Sequence, residues 1–321
     1  AEGLERIKHN MLFYHLWNDD FVQRIKVAPG DLASEHLGMD LHTYSELLHS
    51  VSVVIHNGAL VNSAFDYRAH YAANVMGTVN VLQFALSSSS LCSFAFISSA
   101  VVLGGSEGVL KETQPLLSSH LVHCTGYAQS KYVAESLVLR AAADGNLRRP
   151  VRFQVFRPST IFGDEITGSS NNHDSVNLLL AGLITERICC EDLDSPLPQF
   201  FNLVSVNYVS SSIISIATTA SMMSSSLSVG PVFHLVNPRP VSLHELIEFI
   251  RKAGYVLTDV PASVFCTQIA AISNPKHPLF LFKQAYSTPH SVLVFSSTIE
   301  PPTPPDDSNT KTVLSKISSK H

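Results

Sequence analysis

Residues 126–131 read Gly-Tyr-Ala-Gln-Ser-Lys and begin a segment whose apolar residues recur at helical spacing. On a helix, Tyr127 and Lys131 lie one turn apart on the same face. An ammonium group beside a phenol favours the phenolate and lowers the pKa of the tyrosine, so that its hydroxyl can give or take a proton near neutral pH. The same spacing also arises by chance, as a surface tyrosine stacked on a lysine stem. The sequence on either side has to decide between the two.

Strands and helices alternate along the first half of the chain. The segments predicted as strands are short, apolar and rich in β-branched and aromatic residues, as expected of strands buried in a parallel sheet. They lie at 24–28, 51–56, 93–99 and 151–156, with helices predicted at 2–17, 41–49, 68–87 and from 126 onward. This alternation predicts an α/β fold, a Rossmann-like doubly wound parallel sheet.

The alternation weakens after residue 165, which predicts a smaller C-terminal substrate lobe. Its expected helices are 174–188, 208–220 and 242–254, and its expected strands are 200–204 and 231–236. We therefore expect three parts: a cofactor domain at 1–165, a mixed α/β substrate lobe at 166–283 that returns strands to the main sheet, and a loosely ordered, Pro- and Ser-rich tail at 284–321.

Composition argues against several classes of protein. The 321 residues carry a net charge of −5 with scattered Lys and Arg, so we expect no nucleic-acid partner and no membrane partner. No apolar run is long enough to span a bilayer. The five cysteines have neither an even count nor Cys-x-x-Cys spacing, which predicts no disulfide framework, no metal site and a reducing, cytoplasmic location. The oligomeric state is left open.

Polar residues follow each predicted strand at its carboxyl end. They are Gly30-Asp31-Leu32, Asn57-Gly58-Ala59, Ser98-Ser99 and Pro158-Ser159-Thr160. Each set alone is ordinary turn chemistry. Ligands of open α/β sheets bind at the carboxyl ends of the strands, so together these sets predict a binding site near Tyr127.

With these motifs in order, the chain resembles the extended short-chain dehydrogenase/reductase superfamily. More narrowly, it resembles the thioester reductase domains that end non-ribosomal peptide synthetases, some polyketide synthases, aminoadipate reductases and carboxylic acid reductases. The stretches that carry the narrower resemblance are 2–7, His-Asn-Gly-Ala-Leu-Val at 56–61, 126–131, His-Leu-Val-Asn-Pro at 234–238 and 307–310. It covers nearly the whole chain and is strongest through residue 163.

The resemblance implies a catalytic set and a cofactor. Ser99, Tyr127 and Lys131 match the catalytic Ser/Thr, Tyr and Lys of the family, and Tyr127 and Lys131 also contact its cofactor, NADPH. The matching cofactor-binding positions are Asp31 and Leu32 on the adenine side, Asn57, Gly58 and Ala59 along the cofactor, and Pro158, Ser159 and Thr160 on the nicotinamide side. Asn74 matches a helix position that supports the active site, although a capping or packing role fits it equally.

The reaction implied is hydride transfer from NADPH to an acyl thioester on a phosphopantetheine arm, which gives an aldehyde and a free thiol. The implied partner is an acyl carrier domain or another acyl thioester. Two hydroxyls, from Ser99 and Tyr127, would face the developing oxyanion.

One family feature is missing from the sequence. The family begins with a strand and a Gly-x-x-Gly-x-x-Gly turn that holds the cofactor pyrophosphate at a helix N-terminus. The chain starts at Ala1 without this segment, so we expect a part of a longer protein that binds cofactor weakly or not at all by itself. Without the intervening strands, the segments 24–28 and 51–56 must pair directly, or one of them leaves the sheet.

Two other functions stay open. One is a different extended reductase, such as a fatty acyl-CoA reductase or a sugar-nucleotide or steroid-type dehydrogenase, because the substrate lobe that would distinguish them has no clear motif. The other is a catalytically dead fragment that acts only as a binding or interaction module. The missing phosphate-binding turn favours the second, and the intact set of Ser99, Tyr127 and Lys131 favours an enzyme.

Overall fold

A computed structural model of the chain describes residues 2–62, 65–104, 110–115, 118–121, 124–144, 150–192, 195–219, 231–283 and 305–318. The chain divides into two compact units that are interleaved along the sequence. The first consists of Ala1–Ser98, Gly126–Phe156 and Ile214–Pro231, and the second of Ser99–Thr125, Arg157–Ile213 and Val232–His321. The domain boundaries expected at 165 and 283, by contrast, divide the chain into contiguous parts.

The first unit contains a parallel sheet with its middle strand fully buried. Its strands are β1 (Val53–His56), β2 (Ser93–Ile97) and β3 (Arg152–Pro158), whose last two residues fall in the second unit. In the ladder, Phe94 of β2 pairs with Val54 on one side and with Phe153 on the other. Every residue of β2 is buried, which explains its continuous apolar sequence. The strands predicted at 51–56, 93–99 and 151–156 are confirmed.

Helices connect these strands, as the sequence predicts for a doubly wound sheet. They are α1 (Glu2–Phe13), α2 (Leu41–Ser50), α3 (Tyr67–His70), α4 (Gly77–Ser87) and α5 (Gly126–Ala142). A π-helical turn, Tyr71–Met76, joins α3 to α4, so the predicted helix 68–87 is one run with a wider turn inside it. Such turns often occur at functional sites.

The strand predicted at 24–28 is wrong. Asp19–Arg24 form a 3₁₀ helix capped by the side chain of Asn18, and the residues that follow have no regular structure. This segment therefore leaves the sheet, which was one of the two outcomes expected. Lys26 is paired with Glu46 at the surface and Val27 is exposed, so the apolar residues of this segment are not buried against a neighbouring strand.

The second unit packs helices around its own core. Its elements are β4 (Thr160–Phe162), α6 (Ser175–Glu186), β5 (Ile188–Cys189), β6 (Phe200–Phe201), β7 (Leu203–Ser205), β8 (Val232–Leu235), β9 (Val241–Ser242), α8 (Leu243–Lys252), β10 (Thr258–Asp259) and α9 (Ala262–Ala271). Helix α7 (Val206–Thr219) begins here and continues into the first unit. Leu183 of α6, Ile247 of α8 and Phe265 of α9 are fully buried together. Short strands pair β4 with β7 and β5 with β10 in parallel, and β6 with β9 antiparallel.

The tail contains a helix that the sequence did not predict. Residues Ser308–Ser318 form α10, whose first turn is held by Glu112. The Glu112 carboxyl group accepts hydrogen bonds from the backbone N–H of Asn309 and, at 2.7 Å, from the hydroxyl of Thr310. Loose order was therefore the wrong expectation for this part of the tail, because a buried acidic side chain distant in sequence caps the helix. Residues 284–304 and 319–321 lie outside the described residues.

Across the described ranges, no helix combines the length and the apolar character needed to cross a bilayer.

Gly126 sets how closely α5 approaches α3, and this generates a stability prediction. A Cβ atom at Gly126 would lie 2.2 Å from the carbonyl carbon of Asp66 and 2.3 Å from the backbone nitrogen of Tyr67. Because backbone cannot move aside as a side chain can, we expect Gly126→Ala to lower the free energy of unfolding by about 2 kcal/mol or more in urea titrations.

The matched control is Gly3→Ala in α1, where the new methyl group would lie 2.6 Å from Cγ1 of Val27, an exposed side chain that can move aside where backbone cannot. We expect this variant to be neutral or slightly stabilising, because alanine favours a helix over glycine. Equal losses in the two variants would contradict the role given to Gly126.

Candidate active site

The first turn of α5 places Tyr127 against α3. The close backbone contact at Gly126 brings the ring of Tyr127 to 5.9 Å, centroid to centroid, from the ring of His70. Burial raises the pKa of Tyr127 to about 12. Within the described residues its hydroxyl has no hydrogen-bond partner, so the group is free to meet a ligand.

One turn later, Lys131 points its ammonium group into the first unit. Its Nζ atom donates a hydrogen bond of 2.6 Å to the carbonyl oxygen of Ile97, at the end of β2. It also lies 4.3 Å from the centroid of the Phe96 ring. Only 3% of the side chain is exposed, and this burial lowers the pKa of Lys131 to about 8, an effect that Glu135 partly opposes.

The pKa expected for Tyr127 is therefore wrong. The sequence suggested that Lys131 would lower it, whereas burial raises it, because the ammonium group is directed at the Ile97 carbonyl group. Desolvation penalises both charged forms, the phenolate and the ammonium. At neutral pH Tyr127 is consequently a neutral phenol, which suits it to donate a proton.

Glu135 is a residue of this face that the sequence analysis missed. It is fully buried on α5 and its Oε2 atom accepts a 2.5 Å hydrogen bond from the hydroxyl of Ser98. The spacing could have revealed it, since Tyr127, Lys131 and Glu135 are successive members of one i, i+4, i+8 stripe. An acidic group there partly offsets the cost of burying the lysine charge.

His56, at the end of β1, is a buried residue beside this site. Its Nε2 atom lies 3.0 Å from the hydroxyl oxygen of Thr78, whose own proton goes to the carbonyl oxygen of Asn74. Nε2 is therefore the donor. Burial, with a smaller contribution from Lys131, lowers the pKa of His56 to about 4, so the ring is neutral.

The loop that follows β1 is held in place by Asn74. The amide oxygen of Asn74 accepts the N–H of Leu60 at 2.7 Å, and its nitrogen donates to the Leu60 carbonyl oxygen and to the hydroxyl of Ser130. Asn74 thereby links this loop to α5. Asn57 and Gly58, which precede Leu60 in this loop, are exposed, and Ala59 is half-buried.

Leu32 packs onto the same loop. A Cβ atom at Gly58 would lie 2.6 Å from Cδ1 of Leu32, so glycine leaves room for that leucine. Asp31 makes hydrogen bonds within its own turn: its carboxylate accepts one from the N–H of Ala33 and one from the hydroxyl of Ser34. The Ala33 hydrogen bond is the main cause that lowers the pKa of Asp31.

The remaining predicted residues belong to the second unit. Ser99 caps a short 3₁₀ helix, where its hydroxyl accepts the N–H of Val101 at 3.4 Å. The hydroxyl of Ser159 contacts Asn202 at both its carbonyl oxygen and Oδ1, and the N–H of Ser159 donates to Leu235. Pro158 ends β3 and Thr160 begins β4, which places both beside this anchored serine.

The first unit thus brings together Tyr127 and Lys131 on α5, and Leu32 with Gly58 at the loop after β1. Ser99, Pro158, Ser159 and Thr160 are described with the second unit alone. Sequence reasoning placed Ser98 at the end of a strand near the site, but it missed Glu135, the hydrogen-bond partner of Ser98 behind Lys131, and His70 beside Tyr127.

One group of side chains in the second unit has the composition of a metal site, although no metal was expected. The ligand atoms of Cys189, Glu191 and Asp259 lie within 4.8 Å of one another. Arg251 donates hydrogen bonds to Glu191 at 3.2 Å and to the sulfur of Cys189 at 3.5 Å. A guanidinium group therefore already supplies the positive charge that this cluster attracts.

Comparison with known proteins gives one family. Residues 1–213 match the NAD_binding_4 family, described as male sterility protein, which is a family of NAD(P)-binding domains. The chain is 30% identical over 295 residues to the large subunit of L-2-aminoadipate reductase from Eremothecium gossypii, covering 87% of this chain and 20% of that protein. It is 30% identical over 254 residues to the glycine betaine reductase ATRR from Emericella nidulans, covering 79% of this chain and 19% of that protein. The chain thus spans a fifth or less of these relatives.

Solved structures agree with the family match. The terminal R domain from the myxalamid PKS-NRPS pathway has a TM-score of 0.81 and 30% identity, covering 98% of this chain and 75% of that one. The R domain of a non-ribosomal peptide synthetase from Mycobacterium tuberculosis has a TM-score of 0.71 at 20% identity, over 93% of this chain and 70% of that one, which shows a shared fold. The predicted Rossmann-like α/β class is confirmed.

The buried charge of Lys131 generates a prediction about pH. Its pKa is about 8 when folded and 10.5 ordinarily, so between these values the unfolded chain holds a proton that the folded chain has released. Stability then rises with pH across this window. We expect the unfolding free energy of the native chain, minus that of Lys131→Met, to rise by about 3 kcal/mol from pH 8 to pH 10.5 in urea titrations.

Subtracting the variant removes the titration of all other lysines and tyrosines, and Lys26→Met at an exposed surface position serves as the control. A difference that stays flat across the window would show that Lys131 titrates near its ordinary value.

Proposed function

Because the chain belongs to the NAD_binding_4 family of male sterility proteins, we propose that it reduces an acyl thioester carried on a phosphopantetheine arm to an aldehyde, with NADPH as the hydride donor. The observation that carries the proposal is the pair on α5: a neutral phenol at Tyr127 without a hydrogen-bond partner among the described residues, and a buried ammonium group at Lys131. Similarity to the R domain of a PKS-NRPS pathway supports the carrier-bound substrate.

Tyr127 is proposed as the general acid. When hydride reaches the thioester carbon, the carbonyl oxygen becomes an alkoxide that needs a proton, and a phenol that stays protonated at neutral pH can supply it. Loss of that proton creates a phenolate in a desolvated place. Lys131, one turn away and positively charged below pH 8, is the nearest cation on α5 to stabilise it.

Lys131 is itself held by groups that cannot take its proton. The Ile97 carbonyl oxygen and the Phe96 ring fix the ammonium group, and Glu135 lies one turn behind it with the hydroxyl of Ser98. This surrounding shell keeps the charge at one place in the site. Ser99, the neighbour of Ser98, is proposed as a second hydroxyl that polarises the thioester carbonyl group, on the resemblance of its position to the family motif.

The residues of the first unit fit the cofactor on the nicotinamide-ribose side. The exposed backbone of Asn57 and Gly58 lies at the carboxyl end of β1, where dinucleotides lie on parallel α/β sheets. We propose that this loop holds the cofactor with Lys131. Further proposed contacts are Asp31, Leu32, Ala59, Pro158, Ser159 and Thr160. When bound, the reduced nicotinamide supplies the hydride.

The proposed products follow from the balance of atoms. The carbonyl carbon gains hydride and its oxygen gains the proton from Tyr127, which gives a hemithioacetal. This intermediate then loses its hydroxyl proton as the carbon–sulfur bond breaks, and the departing sulfur takes a proton to become the thiol of the arm. The net products are an aldehyde, a free thiol and oxidised cofactor.

The direct test supplies the chain with an acyl thioester on a carrier domain and with NADPH, and captures the aldehyde as a hydrazone. We expect aldehyde with NADPH, at concentrations high enough to offset the weak cofactor binding expected without the Gly-x-x-Gly-x-x-Gly turn, and less with NADH at the same concentration. Equal rates on acyl-coenzyme A and carrier-bound acyl groups would favour a fatty acyl-CoA reductase instead, and no aldehyde from either would overturn the proposal.

Replacing the proposed acid gives a second prediction. We expect Tyr127→Phe to lower the turnover number by about 10²- to 10⁴-fold, because it removes only the transferable proton. Tyr132→Phe, five residues along the same helix, is the matched control and should retain activity. Comparable losses in both variants would mean that α5, not the hydroxyl, is being disturbed.

The neighbouring serines separate catalysis from support. We expect Ser99→Ala to lower turnover by about 10²-fold through loss of a hydroxyl at the developing oxyanion. We expect Ser98→Ala to lower the free energy of unfolding by about 2 kcal/mol, because the buried Glu135 loses its hydrogen bond. A stable, fully active Ser99→Ala variant would remove that residue from the mechanism.

A further inference from the structure

Three polar side chains form a buried stripe along the helical run from α3 to α4. His70, Asn74 and Thr78 are spaced four residues apart, and their exposed fractions are 0%, 2% and 1%. Polar groups buried to this degree need hydrogen-bond partners to offset the cost of leaving water. We call these three residues the polar stripe.

Two members of the polar stripe are fully paired within the protein. Thr78 donates to the Asn74 carbonyl oxygen and accepts from His56. Asn74 binds both backbone groups of Leu60 and the hydroxyl of Ser130. At these two positions the stripe holds the structure together.

His70 is the exception. Its Nδ1 atom lies 2.8 Å from the carbonyl oxygen of Asp66, and since a carbonyl group only accepts, Nδ1 carries the proton. In the neutral ring Nε2 then bears a lone pair, which makes it a hydrogen-bond acceptor. Nε2 is buried and has no hydrogen-bond partner among the described residues. A buried acceptor that is left unpaired destabilises the fold, because it has lost its hydrogen bonds to water and gained none in return.

The other histidines with buried ring nitrogens have a polar contact at each of them. His234 donates from Nδ1 to the carbonyl oxygen of Asp306 and accepts from Arg157 at Nε2. His277 accepts the N–H of Leu279 at Nδ1. Its Nε2, like that of His70, is buried without a hydrogen-bond partner among the described residues, but it lies 3.0 Å from a carboxyl oxygen of Glu186 in an ion pair. Within the described residues Nε2 of His70 has neither kind of contact, which points to a partner from outside the chain.

The surroundings of His70 are those of the proposed active site. Its ring lies 5.9 Å from that of Tyr127 and 6.2 Å from that of Phe65. Phe65 is 46% exposed, and Tyr71, the residue that follows His70, is 44% exposed. Flat, partly open aromatic side chains beside an unpaired acceptor suit a planar group with an N–H donor, such as an amide.

Resting on the proposed function, we propose that Nε2 of His70 accepts a hydrogen bond from an amide N–H of the phosphopantetheine arm. The thioester group itself has no N–H, whereas the arm carries amides on its approach to the sulfur. The opposite end of the polar stripe meets His56, directly before the loop at 57–59 that is proposed for the cofactor. The unpaired end is therefore assigned to the substrate.

His70 is on this proposal a positioning residue. A hydrogen bond to the arm fixes the thioester carbonyl group near the hydroxyl of Tyr127, so its loss should raise KM far more than it lowers kcat. Nε2 of His70 would also make the site selective for a pantetheine thioester over a simple alkyl thioester without an amide. Only the pantetheine thioester can donate a hydrogen bond to this buried acceptor.

The test measures binding of a non-reducible ligand, S-alkyl pantetheine thioether, to the whole chain by calorimetry. The variants are His70→Leu, which removes the acceptor, and His70→Gln, whose Oε1 can take the place of Nε2. We expect binding to weaken about tenfold in the leucine variant and to be largely retained in the glutamine variant. N-methylation of the ligand amides should weaken binding to the native chain by the same factor as the leucine substitution. It should not weaken binding to His70→Leu any further.

Unfolding in urea separates this role from packing. Leucine removes the unpaired acceptor and also the hydrogen bond from Nδ1 to the Asp66 carbonyl oxygen, so we expect His70→Leu to stay folded with a stability close to that of His70→Gln, which also replaces the ring. A stable leucine variant that binds the thioether as the native chain does would overturn the proposal, as would a glutamine variant as impaired as leucine.

Two further outcomes distinguish this proposal from the proposed function. Thioester reduction with an unchanged KM in His70→Leu would overturn the role of His70 alone, whereas a native chain that neither binds the thioether nor reduces a thioester would overturn both.

A loss of NADPH affinity in His70→Leu without a loss of thioether affinity would assign Nε2 of His70 to the carboxamide of the nicotinamide, and would overturn the assignment to the arm.

Discussion

The ammonium group of Lys131 is a charge held almost entirely out of water, and the first unit is arranged to tolerate it. The carbonyl group at the end of β2 accepts its hydrogen bond, the ring of Phe96 presents a face to it, and Glu135 lies one turn away. A buried ammonium group without such partners would cost several kcal/mol. The strand β2 must therefore end at Ile97, so that the carbonyl group of this residue can accept the hydrogen bond. Helix α5 must also keep the face with Lys131 and Glu135 toward the sheet.

The rest of the site follows from how α5 is held. Gly126 lets its first turn touch the backbone of α3, and Asn74 in the π-helical turn binds both Ser130 of α5 and the loop after β1. Two elements distant in sequence are thereby fixed to one helix. Burial at this junction keeps Tyr127 protonated, which turns the expected phenolate into an acid.

The second unit uses the same kind of support. Arg157 and His234 are buried as a hydrogen-bonded pair, and burial with the nearby guanidinium group lowers the pKa of His234 to about 4. Glu112 binds the backbone N–H of His234 and the first turn of α10. Burial raises the pKa of Glu112, while these hydrogen bonds favour its charged form. Buried polar groups joined in this way hold α10 at a position that its own sequence does not specify.

The sequence by itself determined the three buried strands, the helices between them and the candidate pair Tyr127 and Lys131, because apolar periodicity and i, i+4 spacing are local properties. Tertiary structure alone decided that residues 24–28 stay out of the sheet, that α10 is a helix and that Tyr127 has a raised pKa. It also decided that Nε2 of His70 has no hydrogen-bond partner within the part of the chain that the structure describes. Each of these depends on groups distant in the chain: a missing ladder, a cap from Glu112, desolvation, and the count of donors around one nitrogen. Hydrogen-bond pairing, strand pairing and burial are set by the packed fold, so the local sequence pattern does not predict them.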